Sequence, residues 1–222
     1  MNAPSAILFD LDGTLVDSLE DIADAMNHAL GELGHPPHAL EAYRTLVGDG
    51  ARELARRALP PEHTRDIEPV LARYKDRYHR HPITKSRAYP GIYELLTTLR
   101  ERAIPLAVVT NKPHEAAVAI VDALFPSHTF RVVLGQRDGV PHKPDPAMPR
   151  AVLRELEIAS SDAWFVGDTS TDMCTARNAG LFAIGVTWGF RARAELEAHG
   201  AHAIIDVPAA LLEIDPARVR GL

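Results

Sequence analysis

The sequence predicts an α/β fold: a Rossmann-like parallel sheet core with a small all-helical cap inserted after the first strand. Three observations carry this expectation. The short apolar run Ala6-Ile7-Leu8-Phe9 is followed at once by the polar Asp10-Leu11-Asp12-Gly13-Thr14, the pattern of a buried strand entering a loop. Four similar runs, over residues 104–110, 130–134, 163–166 and 182–186, are β-branched or aromatic and alternate with helical stretches, which favours a parallel sheet covered on both faces. Residues 17–82, by contrast, carry helical character and no convincing strand.

Each element follows from local pattern. Residues 21–30 place Ile22, Met26, Ala29 and Leu30 on one side of a helix, the stripe that packs against a core. Residues 53–59 and 69–78 read as further helices of the same insert. Pro82 and the turn Tyr89-Pro90-Gly91 mark the return to the main domain, because proline and glycine punctuate local structure. The resulting division is a core of residues 1–16 and 83–222 and a cap of residues 17–82. Ala203-Ile204-Ile205 reads as a sixth, weaker strand. In such a sheet ligands bind beyond the carboxyl ends of the strands, so the polar residues that follow each strand become the candidates.

Composition narrows the function classes. A chain of 222 residues with 46% hydrophobic side chains is long enough for one large domain or for a domain with an insert. The single cysteine, Cys174, excludes an internal disulfide framework and fits a reducing compartment such as the cytoplasm. No basic segment followed by an apolar one opens the sequence, and no uncharged apolar run reaches the ~18 residues of a membrane span, so a soluble protein without a membrane partner is expected. A formal net charge of -6 argues against a nucleic-acid partner, since phosphate backbones are held by dense Lys and Arg. A small-molecule partner remains, with a monomer and a homodimer equally compatible.

Four polar clusters sit where the site should be. Asp10 and Asp12 end the first strand two residues apart, where a loop turns both carboxylates to one place; a turn with an Asx cap has the same pattern. Thr110-Asn111-Lys112 closes a strand and offers a hydroxyl and backbone N–H groups to phosphate oxygens, or else caps a helix. Lys143 lies in the proline-stiffened His142-Lys143-Pro144-Asp145-Pro146, which limits where its ammonium can go. Asp168 and Asp172, in Gly167-Asp168-Thr169-Ser170-Thr171-Asp172, add two carboxylates at a loop-to-helix junction, the oxygen ligands that hard cations such as Mg²⁺ choose.

Together, in this order and at this wide spacing, the four clusters resemble the motifs of the haloacid dehalogenase superfamily, and the likeness covers nearly the whole chain. Asp12 separates it from the dehalogenases of that fold, whose halide leaving group needs no acid. Gly48-Asp49-Gly50-Ala51-Arg52-Glu53-Leu54, Tyr89-Pro90-Gly91 and Val186-Thr187-Trp188-Gly189 resemble the phosphoglycolate phosphatases within it. The resemblance implies a Mg²⁺-dependent phosphatase for a small phosphorylated metabolite. Asp10 is then the nucleophile and Asp12 the acid and base. Asp10, the Asp12 carbonyl and Asp168 hold the metal, with Asp172 ordering a bound water. Thr110, Asn111 and Lys143 bind the phosphoryl group, and Gly50 and Arg52 face the leaving group, with Arg52 gripping a carboxylate. Phosphatases for sugar phosphates, nucleotides or pyrophosphate, a β-phosphoglucomutase-like phosphotransferase and a non-catalytic phosphate-binding protein are the alternatives.

Overall fold

The computed structural model describes residues 4–80 and 83–215. The chain runs β1 (Ala6–Phe9), β2 (Val16–Asp17), α1 (Leu19–Glu32), α2 (Tyr43–Leu46), α3 (Ala51–Ala58), α4 (Ile67–Arg80) and β3 (Arg87–Ala88). It continues through α5 (Ile92–Glu101), β4 (Leu106–Pro113), α6 (His114–Leu124), β5 (Val132–Gln136), α7 (Ala147–Leu156), β6 (Ala163–Gly167), α8 (Ser170–Ala179), β7 (Phe182–Val186), α9 (Arg193–Ala198) and β8 (Ala203–Ile205). Six strands form one sheet in the order β5-β4-β1-β6-β7-β8, with every neighbouring pair parallel. The α/β class, the parallel sheet and the helical insertion α1–α4 are therefore as expected.

The centre of the sheet is buried on both faces because β1, β6, β7 and β4 as far as Val109 carry no polar side chain, and the period of two splits them into two clusters. Ile7, Phe9, Leu106, Val108, Trp164, Val166 and Ile184 belong to one cluster with Leu95, Leu99 and Ile120 of α5 and α6. Ala6, Leu8, Ala107, Val109, Phe165 and Ala183 belong to the other with Val152, Leu153 and Met173 of α7 and α8. In the insertion, Ile22, Met26, Ala29 and Leu30 are all buried, as the helical spacing requires. Among the described residues no helix is long and apolar enough to cross a membrane.

Two features differ from the sequence reading. Strand β4 runs three residues beyond Thr110, to Pro113, with a register shift against β5 between Val109 and Pro113. Asn111 and Lys112 are polar, yet both are buried in the strand because each finds a partner. A two-stranded antiparallel ribbon, Val16 with Ala88 and Asp17 with Arg87, forms the stem of the insertion; a two-residue strand is too short to leave a periodic signal. Pro82, read as a boundary, lies outside the described residues.

The returning chain is tied down by one carboxylate. Asp21 of α1 is buried and accepts from the backbone N–H groups of Thr84, Lys85 and Ser86 and from the Ser86 hydroxyl. Burial pushes its pKa up, but those donors outweigh burial and hold it below the ordinary 3.8. Its contribution to stability is thus complete above about pH 4 and fades on acidification through the lowered folded value. Asp21→Ala is expected to cost about 1–3 kcal/mol at neutral pH, since it strands the buried N–H and hydroxyl of Ser86. Urea unfolding midpoints check this, with a smaller loss expected at pH 3 than at pH 7.

Candidate active site

Strand β1 is flanked by β4 and β6, so the first residue beyond it, Asp10, meets what the neighbouring strands deliver at the same edge. Strand β6 brings Asp168, strand β4 brings Thr110, Asn111 and Lys112, and the loop before α7 brings Lys143. Lys143 is buried, with its Nζ 2.9 Å from Asp10 Oδ1 and 2.7 Å from Asp172 Oδ1. Asp172 Oδ2 accepts from the backbone N–H and the hydroxyl of Thr169, and Thr169 caps α8 in return. Asp168 is wholly buried and accepts from the Thr14 hydroxyl at 2.9 Å and the Phe190 N–H at 2.8 Å. Gly13 has φ +85°, and a Cβ there would overlap the Asp168 carboxylate, so both its conformation and its space demand glycine.

Oxygens of Asp10, Asp168 and Asp172 lie within 4.8 Å of one another. Three buried carboxylates therefore share one ammonium. The imbalance shows in their proton affinity. Burial first, and then Asp172, push Asp10 up to about 6, although Lys143 pulls it down. Burial, Asp172 and Asp10 push Asp168 well above the ordinary carboxylate range. Burial disfavours the Lys143 charge, but Asp10 and Asp172 outweigh it and raise its pKa. The Oδ1 atom of Asp10 is buried without a hydrogen bond of good geometry, despite its ion pair with Lys143. An excess of buried hard oxygen donors with one of them under-satisfied fits a divalent cation such as Mg²⁺.

Asp12 stands apart from this cluster. Both its oxygens receive Lys112 Nζ at 2.9 Å, and Oδ1 also accepts from the Ser18 hydroxyl at 2.6 Å. Ser18 occupies the N-cap position of α1 but makes no side-chain cap there, because its hydroxyl serves Asp12 instead. Asn111 is a clamp. Its Oδ1 accepts from the Lys143 N–H, and its Nδ2 donates to the carbonyls of Lys143 and of Gly48 in the insertion. Asp49 accepts from Thr171 of α8, and Arg191 donates to the Val47 carbonyl, so the insertion is docked onto the sheet's carboxyl end.

Between them lies a cleft lined by Asp10, Asp12, Thr110, Asn111 and Lys112 from the sheet, and by Gly48, Gly50, Ala51, Leu54 and Tyr74 from the insertion. Gly50 has φ +91° and packs on the His142 ring, so it lets the insertion's loop approach the Lys143 loop. Asp10, Asp12, Thr110, Asn111, Lys143, Asp168, Asp172 and Gly50 thus meet at one edge. Arg52 does not. Its side chain is 64% exposed and pairs with Glu68, because one step along α3 from Ala51 turns away from the cleft; this corrects the expectation that it grips a carboxylate.

The residue that sequence reading passed over is Lys112. Its signal depends on β4 continuing beyond Thr110 to Pro113, which the polarity of Asn111 and Lys112 hides.

A family model described as haloacid dehalogenase-like hydrolase matches residues 7–186. The chain is 37% identical to the phosphoglycolate phosphatase of Pseudomonas putida, over 96% of this chain and 81% of that one. It is 36% identical to the phosphoglycolate phosphatase of Rhodospirillum rubrum, over 91% and 87%. Among solved structures, a haloacid dehalogenase-like family hydrolase from Streptococcus pneumoniae superposes with TM-score 0.88 at 30% identity, covering 96% of this chain and 99% of that chain.

Two outcomes follow from this geometry. With Asp10 raised from 3.8 to about 6, the metal-free folded state holds a proton that the unfolded state releases between those values, so this group's contribution to stability falls as pH rises through that window. A metal-free melting series is expected to show that fall, and Mg²⁺ to raise Tm more at pH 7.5 than at pH 5, since a protonated Asp10 is a poor ligand. Equal Mg²⁺ increments at both values would contradict the assignment. Arg52→Ala is expected to leave kcat/KM for any phosphate ester within about twofold, the behaviour of an exposed ion pair remote from chemistry.

Proposed function

Because the chain belongs to the haloacid dehalogenase-like hydrolase family, we propose that it is a Mg²⁺-dependent phosphatase of small phosphate monoesters, with 2-phosphoglycolate as substrate and glycolate and phosphate as products. The observation that carries the reading is the separation of two carboxylates by task. Asp10 sits against Lys143 in the acidic cluster, while Asp12, which lines the same cleft, has its own partners in Lys112 and Ser18.

In this reading Asp10 attacks phosphorus in line with the ester oxygen, so an Asp10 O–P bond forms as the P–O ester bond breaks. Asp12 gives its proton to the departing oxygen, and the alcohol leaves. Water then attacks the same phosphorus and Asp12 takes its proton, which cleaves the aspartyl-phosphate and releases inorganic phosphate. Lys143 neutralises charge on the transferring group and is itself held by Asp172. The Thr110 hydroxyl and Asn111 orient the phosphoryl oxygens, the kind of fixed donor on which phosphoryl transfer depends. Asp10 and Asp168, with the Asp12 carbonyl and with Asp172 behind them, are the residues that would hold Mg²⁺; the ion supplies further neutralisation of the phosphoryl oxygens. The docked insertion limits water and sets the size of the leaving group.

Phosphoglycolate is favoured by two things: the relatives that carry that name and the small volume, about 40 Å³, of the cleft whose lining includes Leu54 and Tyr74. The test is a ranking of kcat/KM for phosphoglycolate against glucose 6-phosphate, nucleoside monophosphates and pyrophosphate with Mg²⁺. Phosphoglycolate should lead, and a sugar phosphate or nucleotide in first place would overturn the substrate. Asp10→Asn is expected to fold and to lose at least about a thousandfold in turnover, because the amide cannot attack phosphorus. Steady-state phosphate release from the purified variant checks it, and substantial residual hydrolysis would remove Asp10 as nucleophile.

A further inference from the structure

With Arg52 outside the cleft, the site needs another cation if it is to hold an anionic leaving group. Among the described residues that line the cleft, Lys112 is the only basic one. Its side chain is 3% exposed, a burial that an ammonium tolerates only with compensating partners. It has two. The Asp12 carboxylate takes two of its three N–H donors, and the Tyr78 ring lies 4.5 Å from Nζ. Among the described residues no other group accepts a hydrogen bond from Nζ.

The position of that ammonium matters. Asp12, in the role given above, must come within hydrogen-bond distance of the ester oxygen, and Lys112 Nζ is 2.9 Å from both Asp12 oxygens. Two successive hydrogen bonds put Nζ roughly 6 Å or less from that oxygen. A carboxylate joined to the ester oxygen through a single carbon falls inside this radius. One at the far end of a longer chain does not have to. Gly50 and Ala51, which line the same cleft, open α3, whose first N–H groups lack partners within the helix and favour negative charge there.

We propose that Lys112 is the specificity residue for the leaving group: it binds the carboxylate of small phosphate esters that carry one carbon between ester oxygen and carboxylate, an inference that rests on the phosphatase reading above. Being in the strand that also supplies Thr110, Lys112 would sense the leaving group from the sheet, while the insertion adds the start of α3 and the Tyr78 ring.

The experiment compares 2-phosphoglycolate with 2-hydroxyethyl phosphate, equal in length but with a neutral hydroxymethyl in place of the carboxylate. An aryl phosphate reports basal turnover, and circular dichroism melts report folding. Wild type should prefer phosphoglycolate. Lys112→Met should lose roughly 10- to 100-fold more in kcat/KM for phosphoglycolate than for hydroxyethyl phosphate, the range of a charge-assisted hydrogen bond. Lys112→Arg, which keeps a cation, should retain most of the preference. Equal losses on the two esters in Lys112→Met would mean that the lysine acts only through Asp12 and would overturn the proposal. If that variant melts below the assay temperature, Lys112→Gln takes its place with the same two outcomes. A wild type that cleaves the aryl phosphate but shows no carboxylate preference would refute the phosphoglycolate reading itself, whereas a preference that survives in Lys112→Met would refute only the role of Lys112.

Discussion

Three carboxylates and one ammonium share a buried space at the end of the central strand, and much of the local architecture exists to keep them there. Asp10, Asp168 and Asp172 outnumber Lys143, and like charges in a low-dielectric site repel strongly. The chain answers with fixed donors rather than with more cations: the Thr14 hydroxyl and Phe190 N–H on Asp168, and the Thr169 N–H and hydroxyl on Asp172. Gly13 and Gly189 exist at this edge because any Cβ would overlap Asp168. What the donors leave uncompensated is an affinity for protons or for a divalent ion. In that sense the folded state is built around a charge it does not itself supply.

Most of this was legible in the sequence for a physical reason. A buried parallel strand is a continuous apolar run, and the polar residues that interrupt it at its carboxyl end stand out, as Asp10 after Phe9 and Asp168 after Gly167 do. Amphipathic spacing likewise exposed α1, whose four expected apolar residues are all buried. Lys112 was harder to read. Sequence polarity ended β4 at Thr110, whereas burial in pairs lets the strand continue through Asn111 and Lys112 to Pro113. Arg52 failed for the opposite reason. A glycine-rich loop before a helix suggests anion binding, but which way a helix turns its second residue depends on how α3 packs on α4, and α4's Glu68 draws the guanidinium outward.

The insertion and the sheet are joined at several small points rather than by one broad apolar seam alone. Asn111 touches the Lys143 loop and the Gly48 carbonyl with one amide, Thr171 of α8 donates to Asp49, and Arg44 donates to the Gly189 carbonyl. Each of these bridges ends on backbone or on a residue adjoining the acidic cluster. The docked insertion and the side chains beside the acidic cluster are thereby parts of a single hydrogen-bonded unit.

Ser18 carries a different kind of consequence. At the head of α1 it gives its hydroxyl to Asp12 and leaves its helix without a side-chain cap. The insertion is in other respects a replaceable module, entered and left through a two-stranded stem. Yet the residue before α1 supports a carboxylate of the core from the insertion's side of the stem. A lineage that exchanged this insertion for another would inherit an Asp12 with one support missing unless the newcomer also began with a hydroxyl. The helix that opens the insertion is therefore tied to the core through Ser18, whatever the rest of the insertion becomes.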